Sequence, residues 1–523
     1  MIGFSKISSA QAISLEAVII SVETDISGGS HSFSLVGLPN KAVEEAQDRI
    51  SAAIKNTGFT SPKHKNQKVV VSLAPASLKK EGTSLDLAIA LGYLQAAGEI
   101  DIKETDSVFI GELSLNGKLC PVRGVLPMAY KAAQSGFKSI FVPRKNAKEA
   151  AFVKDIDVYG ADSLLEVITH INKSADPEYN PPKSIARQPK QRLNSNKLED
   201  KDTNLSEIRG QETAKRALEI AAAGRHNIAM YGPPGSGKTL LARAFASILP
   251  DLNEDQVLET SSLHSIAGSL PLNKLFTKPP FRSPHHSSSP AAVIGGSSPP
   301  KPGEITLSHN GVLFLDEFPE FDRRIIESLR EPLEEKVIAI SRANEKVVFP
   351  ADFILIAAFN PCPCGYFGAD DGKCDCSPYE IKRYKKKLSG PLMDRIDLWC
   401  HVDAVKHKDL SITKNTATEE DSKIKKRIEK ARMIQKKRFS GEKGISTNND
   451  MKIKHFRSKA KLSPEAEKIL QISAEKMNLS ARGYHKIIKI GRTIADLEDV
   501  EEIKENHVLE ALQYRPAKEV KNY

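Results

Sequence analysis

The chain has 523 residues, 40% of them hydrophobic and 27% charged, with a formal net charge of +10. Such a composition belongs to an ordinary globular protein with room for roughly three domains of about 150 residues, and no apolar run approaches the roughly 20 residues a membrane helix needs. The positive charge fits a polyanionic partner without identifying one.

The first stretch, MIGFSKISSAQAISLEAVIISVETD, carries Glu16 and Glu23 and alternates as strands do, so it is not a signal peptide. Residues 1–172 alternate strand-like runs (VIISVETDI, KVVVSLAP, SVFIGELSL, SIFVP) with helical periodicity around 41–56, 84–97 and 125–136, which predicts an α/β domain. Residues 173–203 are rich in Pro, Asn, Lys and Ser with little apolar periodicity and read as a flexible linker. A second α/β domain is expected over 204–400, a charged connector over 401–461, and a helical lid over 462–523. The lid starts with Ser463 as N-cap and Pro464 at the first helical position. Its Ile487, Ile490, Ile494 and Leu497 recur at helical spacing.

NIAMYGPPGSGKTLLARAFA contains Gly232-Pro233-Pro234-Gly235-Ser236-Gly237-Lys238-Thr239, a complete G-x-x-x-x-G-K-[ST] between an apolar strand and an apolar helix. In that context the glycines let backbone N–H groups wrap phosphates, Lys238 reaches the β/γ oxygens and Thr239 ligates Mg²⁺, so ATP and Mg²⁺ are the expected cofactors. The run GVLFLDEF ends a second strand in Asp316, placed to hold the Mg²⁺ shell, and Glu317, placed to polarise the attacking water. FILIAAFN ends a third strand in Asn360, a neutral amide suited to orient that water and sense the γ-phosphate.

CPCGYFGADDGKCDC places Cys362 and Cys364 nine residues before Cys374 and Cys376. Four thiols in one loop favour a reducing cytoplasm over a secreted disulfide framework. They can close a Zn²⁺ site, although C-x-C pairs strain simultaneous ligation; redox-active thiols and unliganded cysteines stay open as alternatives. Lys382, Arg383, Lys385, Lys386 and Lys387 follow, and KIKKRIEKARMIQKKRF is a second basic run; each is either a phosphate contact or a solvated face. KVIAISRANEKVVFP reads as a hairpin around Asn344-Glu345 with Arg342 and Lys346 near its tip. The adjacent His285 and His286 are poorly placed for one metal and read as surface residues. In SGPLMDRIDLW, Arg395 either pairs with Asp394 or Asp397 or points at a charge from elsewhere.

The order of P-loop, LFLDE, Asn-terminated strand, DRID and helical SARG resembles an AAA+ ATPase of the magnesium-chelatase-like group. The whole chain resembles more closely the YifB/ComM family, through FSLVGLPNKAVEEAQDRI, GELSLNGKLCPVRGVLPMA, FRSPHH, PGEITLSHNGVLFLDEFPEF, FNPCPCGYFG, SGPLMDRIDL and LSARGYHKIIKIGRTIADL. The resemblance implies that Arg395 is a finger for the neighbouring subunit's ATP site, that Arg482 is a second nucleotide-reporting arginine, that the assembly is a homohexamer, and that the long insert around FRSPHH faces its pore. It also implies a Lon-protease-like (S5-like) fold for residues 1–172. Ser84 would occupy the nucleophile's position and Leu126 that of the lysine base; leucine cannot accept a proton, so the domain is expected to be inactive as a peptidase.

The function expected is a cytoplasmic ATP-hydrolysing motor on single-stranded or branched DNA, of the helicase or branch-migration type, with no membrane partner. The alternative is a protein-remodelling ATPase that uses the first domain as an adaptor. Metal insertion into a porphyrin, implied by the fold name alone, is disfavoured because DISGG at Asp25 lacks the last serine of D-x-S-x-S.

Overall fold

The computed structural model describes residues 3–172, 185–191, 204–403 and 417–516, apart from 14, 63–65, 81, 103–105, 272–273, 297–299, 343–344, 369–373, 389 and 443. It divides into two compact units, residues 1–195 with 257–275, and residues 196–256 with 276–523. Among the described residues no helix is long and apolar enough to cross a membrane.

The first unit is built on a seven-stranded mixed sheet in the order 32–36, 67–74, 16–28, 3–13, 107–109, 139–143, 157–161. Strands Gly3–Ile13 and Glu16–Gly28 form one long antiparallel pair, running from Gly3 opposite Ile26 to Ile13 opposite Glu16. From Ile20 on, Ile20, Val22, Thr24 and Ile26 are buried while Ser21, Glu23 and Asp25 are more open, the alternation expected where each sheet face meets a different environment. Helix Asp86–Ala96 has no polar face and is buried from Asp86 to Leu94. Ser84 precedes that helix and its carbonyl accepts from Gly111 N at 2.9 Å. Leu126 lies fully buried in helix Val125–Gln134, its N–H donating to Glu149 Oε1 at 3.0 Å.

Two boundaries differ from the sequence reading. Residues 257–275, expected inside the second domain, fold with the first unit: Ser265 accepts from Gly124 N at 3.3 Å through its carbonyl and donates its hydroxyl to Glu149. The second contact adds to the bonds that Glu149 already accepts from Leu126 N and Asn146 Nδ2. The linker expected over 173–203 lies outside the described residues except for 185–191. That part is tied down, with Arg187 bridging Tyr159, Gln188 N donating to Val158 O at 2.8 Å and Ile185 buried.

The second unit centres on five parallel strands in the order 281–282, 312–315, 354–359, 228–231, 398–401. Their apolar runs are buried on both faces, as parallel strands covered by helices require. The expected connector is not a spacer. Residues 404–416 lie outside the described set, but Ala417–Arg438 is one helix whose Ile428 and Ala431 enter the same core as Ile228, Phe245, Ile356, Ile487, Ile490 and Ile494. Arg432 Nη2 and Gln435 Nε2 donate to the carbonyls of Ala222 and Ala223 at 2.6 and 3.1 Å, capping the last turn of helix Glu212–Gly224. Arg438 grips Asp496 in the lid, one of its bonds at 2.7 Å. The second basic run is thus not merely solvated at Arg432 and Arg438; Arg432 ties its helix to helix Glu212–Gly224 and Arg438 ties it to lid helix Ala481–Leu497. In the first, Lys382, Arg383, Lys386 and Lys387 are exposed, Lys387 pairing with Glu320 at 2.8 Å, and Lys385 is partly buried.

Val337–Arg342 and Glu345–Pro350 form the expected antiparallel hairpin, from Val337 opposite Pro350 to Arg342 opposite Glu345. Asn344 and the side chains of Arg342 and Lys346 lie outside the described residues.

Candidate nucleotide site

Three strand ends and one loop converge at the C-terminal edge of the parallel sheet, where α/β folds place their ligands. Strand Ile228–Tyr231 runs into the glycine loop, and Gly235 and Gly237 adopt φ of 74° and 90°. A side chain is disfavoured in both conformations, so the turn needs glycine and its amides stay uncovered. Helix Lys238–Ile248 then starts directly behind the loop, its N-terminus facing it.

Lys238 is only 8% exposed. Its Nζ donates to the carbonyls of Gly232 and Pro233 at 2.9 and 2.8 Å and to Asn360 Oδ1 at 3.1 Å. Burial pulls the ammonium's pKa below the usual lysine value, and the charge of Asp316 opposes that shift. Thr239 Oγ1 donates to Asp316 Oδ2 at 2.7 Å, so the two expected Mg²⁺ ligands already stand side by side. Asp316 Oδ1 accepts from Glu317 N at 3.0 Å, and Glu317 sits in the left-handed region at φ 52°. These hard oxygen donors, beside a glycine-rich loop and an ammonium, match a magnesium–nucleotide ligand.

One residue here was missed. His286 Nδ1 lies 3.0 Å from Glu317 Oε2, and the rings of His285 and His286 are 4.2 Å apart. A signal existed: Phe281–Arg282 is a strand parallel to Val312–Leu315, so the residues after it emerge at the same edge as Glu317.

Arg395 and Arg482 are not brought to this edge. Strand Leu398–His401 runs parallel to Ile228–Tyr231 with Leu398 opposite Ile228, and the Asn227 side chain donates to Arg395 O at 3.4 Å. Arg395 therefore lies at the N-terminal edge, about four strand residues or roughly 13 Å of sheet from the start of the glycine loop. It pairs within the chain, but with Glu334 rather than with Asp394 or Asp397: Nη2 stands 2.7 Å from Glu334 Oε1. Arg482, at the start of helix Ala481–Leu497, reaches the same oxygen at 2.6 Å. Arg395 holds the Glu334 carboxyl below its ordinary pKa, more than partial burial raises it, and Arg482 adds to the effect. Arg395 Nε is buried without a hydrogen-bond partner. Asp397 is engaged elsewhere, accepting from Asn227 N at 3.1 Å and lying 3.6 Å from Lys486 Nζ.

Comparisons with known proteins give the family. Residues 204–410 match the family described as magnesium chelatase, subunit ChlI; residues 418–515 match its C-terminal part, and residues 22–146 match subunit ChlI of Mg-chelatase. Competence protein ComM of Haemophilus influenzae is 40% identical over 97% of this chain and 96% of its own length. The chain belongs to the YifB/ComM family. YifB of Escherichia coli is similar to it as well, 38% identical over 96% of this chain and 95% of that protein. A shorter stretch of 110 residues is 33% identical to Lon protease 2 of Bacillus subtilis, covering 20% of this chain and 19% of that protein. The family's magnesium-chelatase-type AAA+ module accounts for the glycine loop and the paired carboxylates at one sheet edge.

The four loop cysteines of this family member also come together. Their Sγ atoms all lie within 4.8 Å of one another, so the C-x-C spacing does not keep the thiols apart, and Gly365 and Gly368 take φ of 87° and 83° in the turn that follows Cys364. Cys362 is buried and the other three are partly exposed.

Proposed function

We propose that the protein hydrolyses ATP at the Lys238 edge and does so as a ring, most consistently a homohexamer, in which each subunit lends Arg395 and Arg482 to its neighbour. The observation that carries this reading is the separation of the two arginines from their own chain's glycine loop, across the sheet. Lys238 would bind the β/γ oxygens, Asn360 would hold the γ-phosphate and water in register, and Glu317 would accept the water's proton. Thr239 and Asp316 would hold Mg²⁺, which when bound neutralises charge on the phosphates. A guanidinium supplied across an interface offsets transition-state charge, an effect of about 10³–10⁵ in rate in other phosphoryl-transfer systems.

The motion would act on DNA, as a helicase or branch-migration motor. Support comes from the net charge of +10, the hairpin 337–350, and kinship over almost the whole chain with a protein named for competence. The second reading, a protein-remodelling ATPase, draws on the likeness to Lon protease 2 over 110 residues. ATPase rates measured alone and with single-stranded, branched or duplex DNA, or with an unfolded protein, separate the two. Stimulation by branched or single-stranded DNA supports the motor on DNA, and stimulation by unfolded protein alone overturns it.

A further inference from the structure

The cysteine loop begins immediately after Asn360, the strand end that accepts from Lys238. Its Sγ–Sγ separations are 3.3 Å for Cys362–Cys364, 3.8 Å for Cys362–Cys374 and 3.6 Å for Cys364–Cys374, with Cys376 inside the same 4.8 Å cluster. A tetrahedral zinc ion with Zn–S bonds of about 2.3 Å requires sulfur atoms about 3.8 Å apart. All four thiols are free rather than disulfide-bonded. Phe367 N donates to Cys362 Sγ at 3.3 Å, and Gly365 N to Cys362 O at 3.0 Å, a turn that offers an amide to a ligand sulfur.

The loop also reaches the nucleotide site. A Cβ on Gly365 would fall 2.6 Å from Pro234 Cδ and 3.6 Å from Asn360 Cγ, so the residue directly after the first two cysteines packs on the glycine loop. On the other side, Lys385 Nζ stands 5.4 Å from the Phe367 ring centroid, bringing positive charge from helix Pro378–Lys385.

We propose that Cys362, Cys364, Cys374 and Cys376 bind one zinc ion, and that this ion fixes the loop on which Pro234 and Asn360 rest. Binding replaces four S–H bonds with four Zn–S bonds and releases four protons, leaving a site of net charge −2 that the basic helix after it offsets. Soft sulfur donors in a tetrahedron select zinc over the magnesium of the neighbouring site. The zinc assignment stands on the cluster alone; its coupling to nucleotide rests on the ATP-site reading above.

The test is metal analysis of untagged full-length protein by plasma mass spectrometry, with a mercurial titration that reports released zinc through a chromogenic chelator. About one zinc per chain, released as four thiols are titrated, is the expected result. Metal well below stoichiometry, iron in place of zinc, or four thiols that react freely in native protein would overturn the site. Cys374→Ser should lose the zinc and weaken binding of a fluorescent ATP analogue about tenfold, the loss of one good contact. Cys120→Ser, in the other unit, should change neither. Lys238→Ala should lose nucleotide and keep zinc, which separates failure of the ATP site from failure of the metal site. If Cys374→Ser does not fold, chelator-stripped wild-type protein serves for the same nucleotide titration. Unchanged nucleotide affinity after zinc removal overturns the coupling.

Discussion

His286 Nδ1 and Glu317 Oε2 stand 3.0 Å apart across the mouth of the nucleotide site. The carboxylate oxygen engaged by the imidazole is one that would have to accept a proton from the attacking water. While the contact lasts, Glu317 is held at one oxygen, and binding of water in a productive pose must displace it. His286→Ala should therefore raise ATPase activity in the absence of DNA by about two- to fivefold, the effect of one partly exposed contact, and shrink the ratio of stimulated to basal rate. A fall in basal rate with unchanged nucleotide affinity would instead make His286 a residue that orients Glu317 for catalysis.

Lys238 and Glu317 should separate binding from chemistry. Lys238 is buried against the carbonyls of its own loop, poised to exchange them for phosphate oxygens, whereas the Glu317 carboxylate stands against His286 and its backbone N–H donates to Asp316 Oδ1. Lys238→Ala should abolish nucleotide binding in a titration with a fluorescent analogue. Glu317→Gln should leave the affinity within about twofold and lower kcat by about 10²–10⁴. Equal loss of affinity in both variants would contradict the assigned roles.

The strand ends of this site were legible because parallel strands buried on both faces read as apolar runs, and a polar residue that stops such a run stands at the sheet edge. Asp316, Glu317 and Asn360 are all of this kind. The partner of Arg395 was not legible, because Glu334 lies 61 residues earlier in the chain on a different helix, and no local pattern links the two. The fate of 257–275 was hidden for a similar reason: nothing local to Ser265 marks its bonds to Glu149 and Gly124, which lie more than 100 residues earlier in the chain. Likewise, the basic helix 417–438 announced charge, and only tertiary contacts show that Arg432 and Arg438 spend theirs inside the fold.

The turn that carries Arg395 leads into strand Leu398–His401 through Asp397, which is 4% exposed. Burial pushes the Asp397 carboxyl upward, but Lys486 and His226 outweigh it and hold the group well below the usual aspartate range. Burial in turn draws Lys486 down to about 8 against the pull of Asp397. Asp397→Asn leaves Lys486 buried without its counter-charge and should cost about 3–5 kcal/mol at pH 7; adding Lys486→Met should recover part of it. Because the folded pKa of Asp397 is depressed, its contribution is fully present above the unfolded value of about 3.9 and is lost as pH falls through the folded value. The gap between wild type and Asp397→Asn in denaturant unfolding should therefore hold from pH 7 to about 5 and narrow below about 4. A gap that widens on acidification would show that the carboxylate is not what stabilises this strand.

Arg395 and Arg482 meet on one carboxylate oxygen at the edge away from their own glycine loop, and this makes their division of labour testable by mixing. Each single variant, Arg395→Ala or Arg482→Ala, should bind ATP nearly as wild type and hydrolyse it far more slowly, since a guanidinium on the γ-phosphate acts on transition-state charge. Mixing either with Lys238→Ala creates interfaces in which one chain supplies an intact glycine loop and the other both arginines, so ATPase activity should partly return. Mixing Arg395→Ala with Arg482→Ala is the decisive case. If both arginines serve the neighbour, no interface in that mixture is complete and activity stays low. If Arg482 instead serves its own chain's site, an Arg395→Ala loop facing an Arg482→Ala partner is complete, and activity returns. The purely structural reading, in which Glu334 simply neutralises both arginines, predicts lower thermal stability in each variant and no recovery in any mixture. Undiminished ATPase in a stable Arg395→Ala protein would remove that residue from the site altogether.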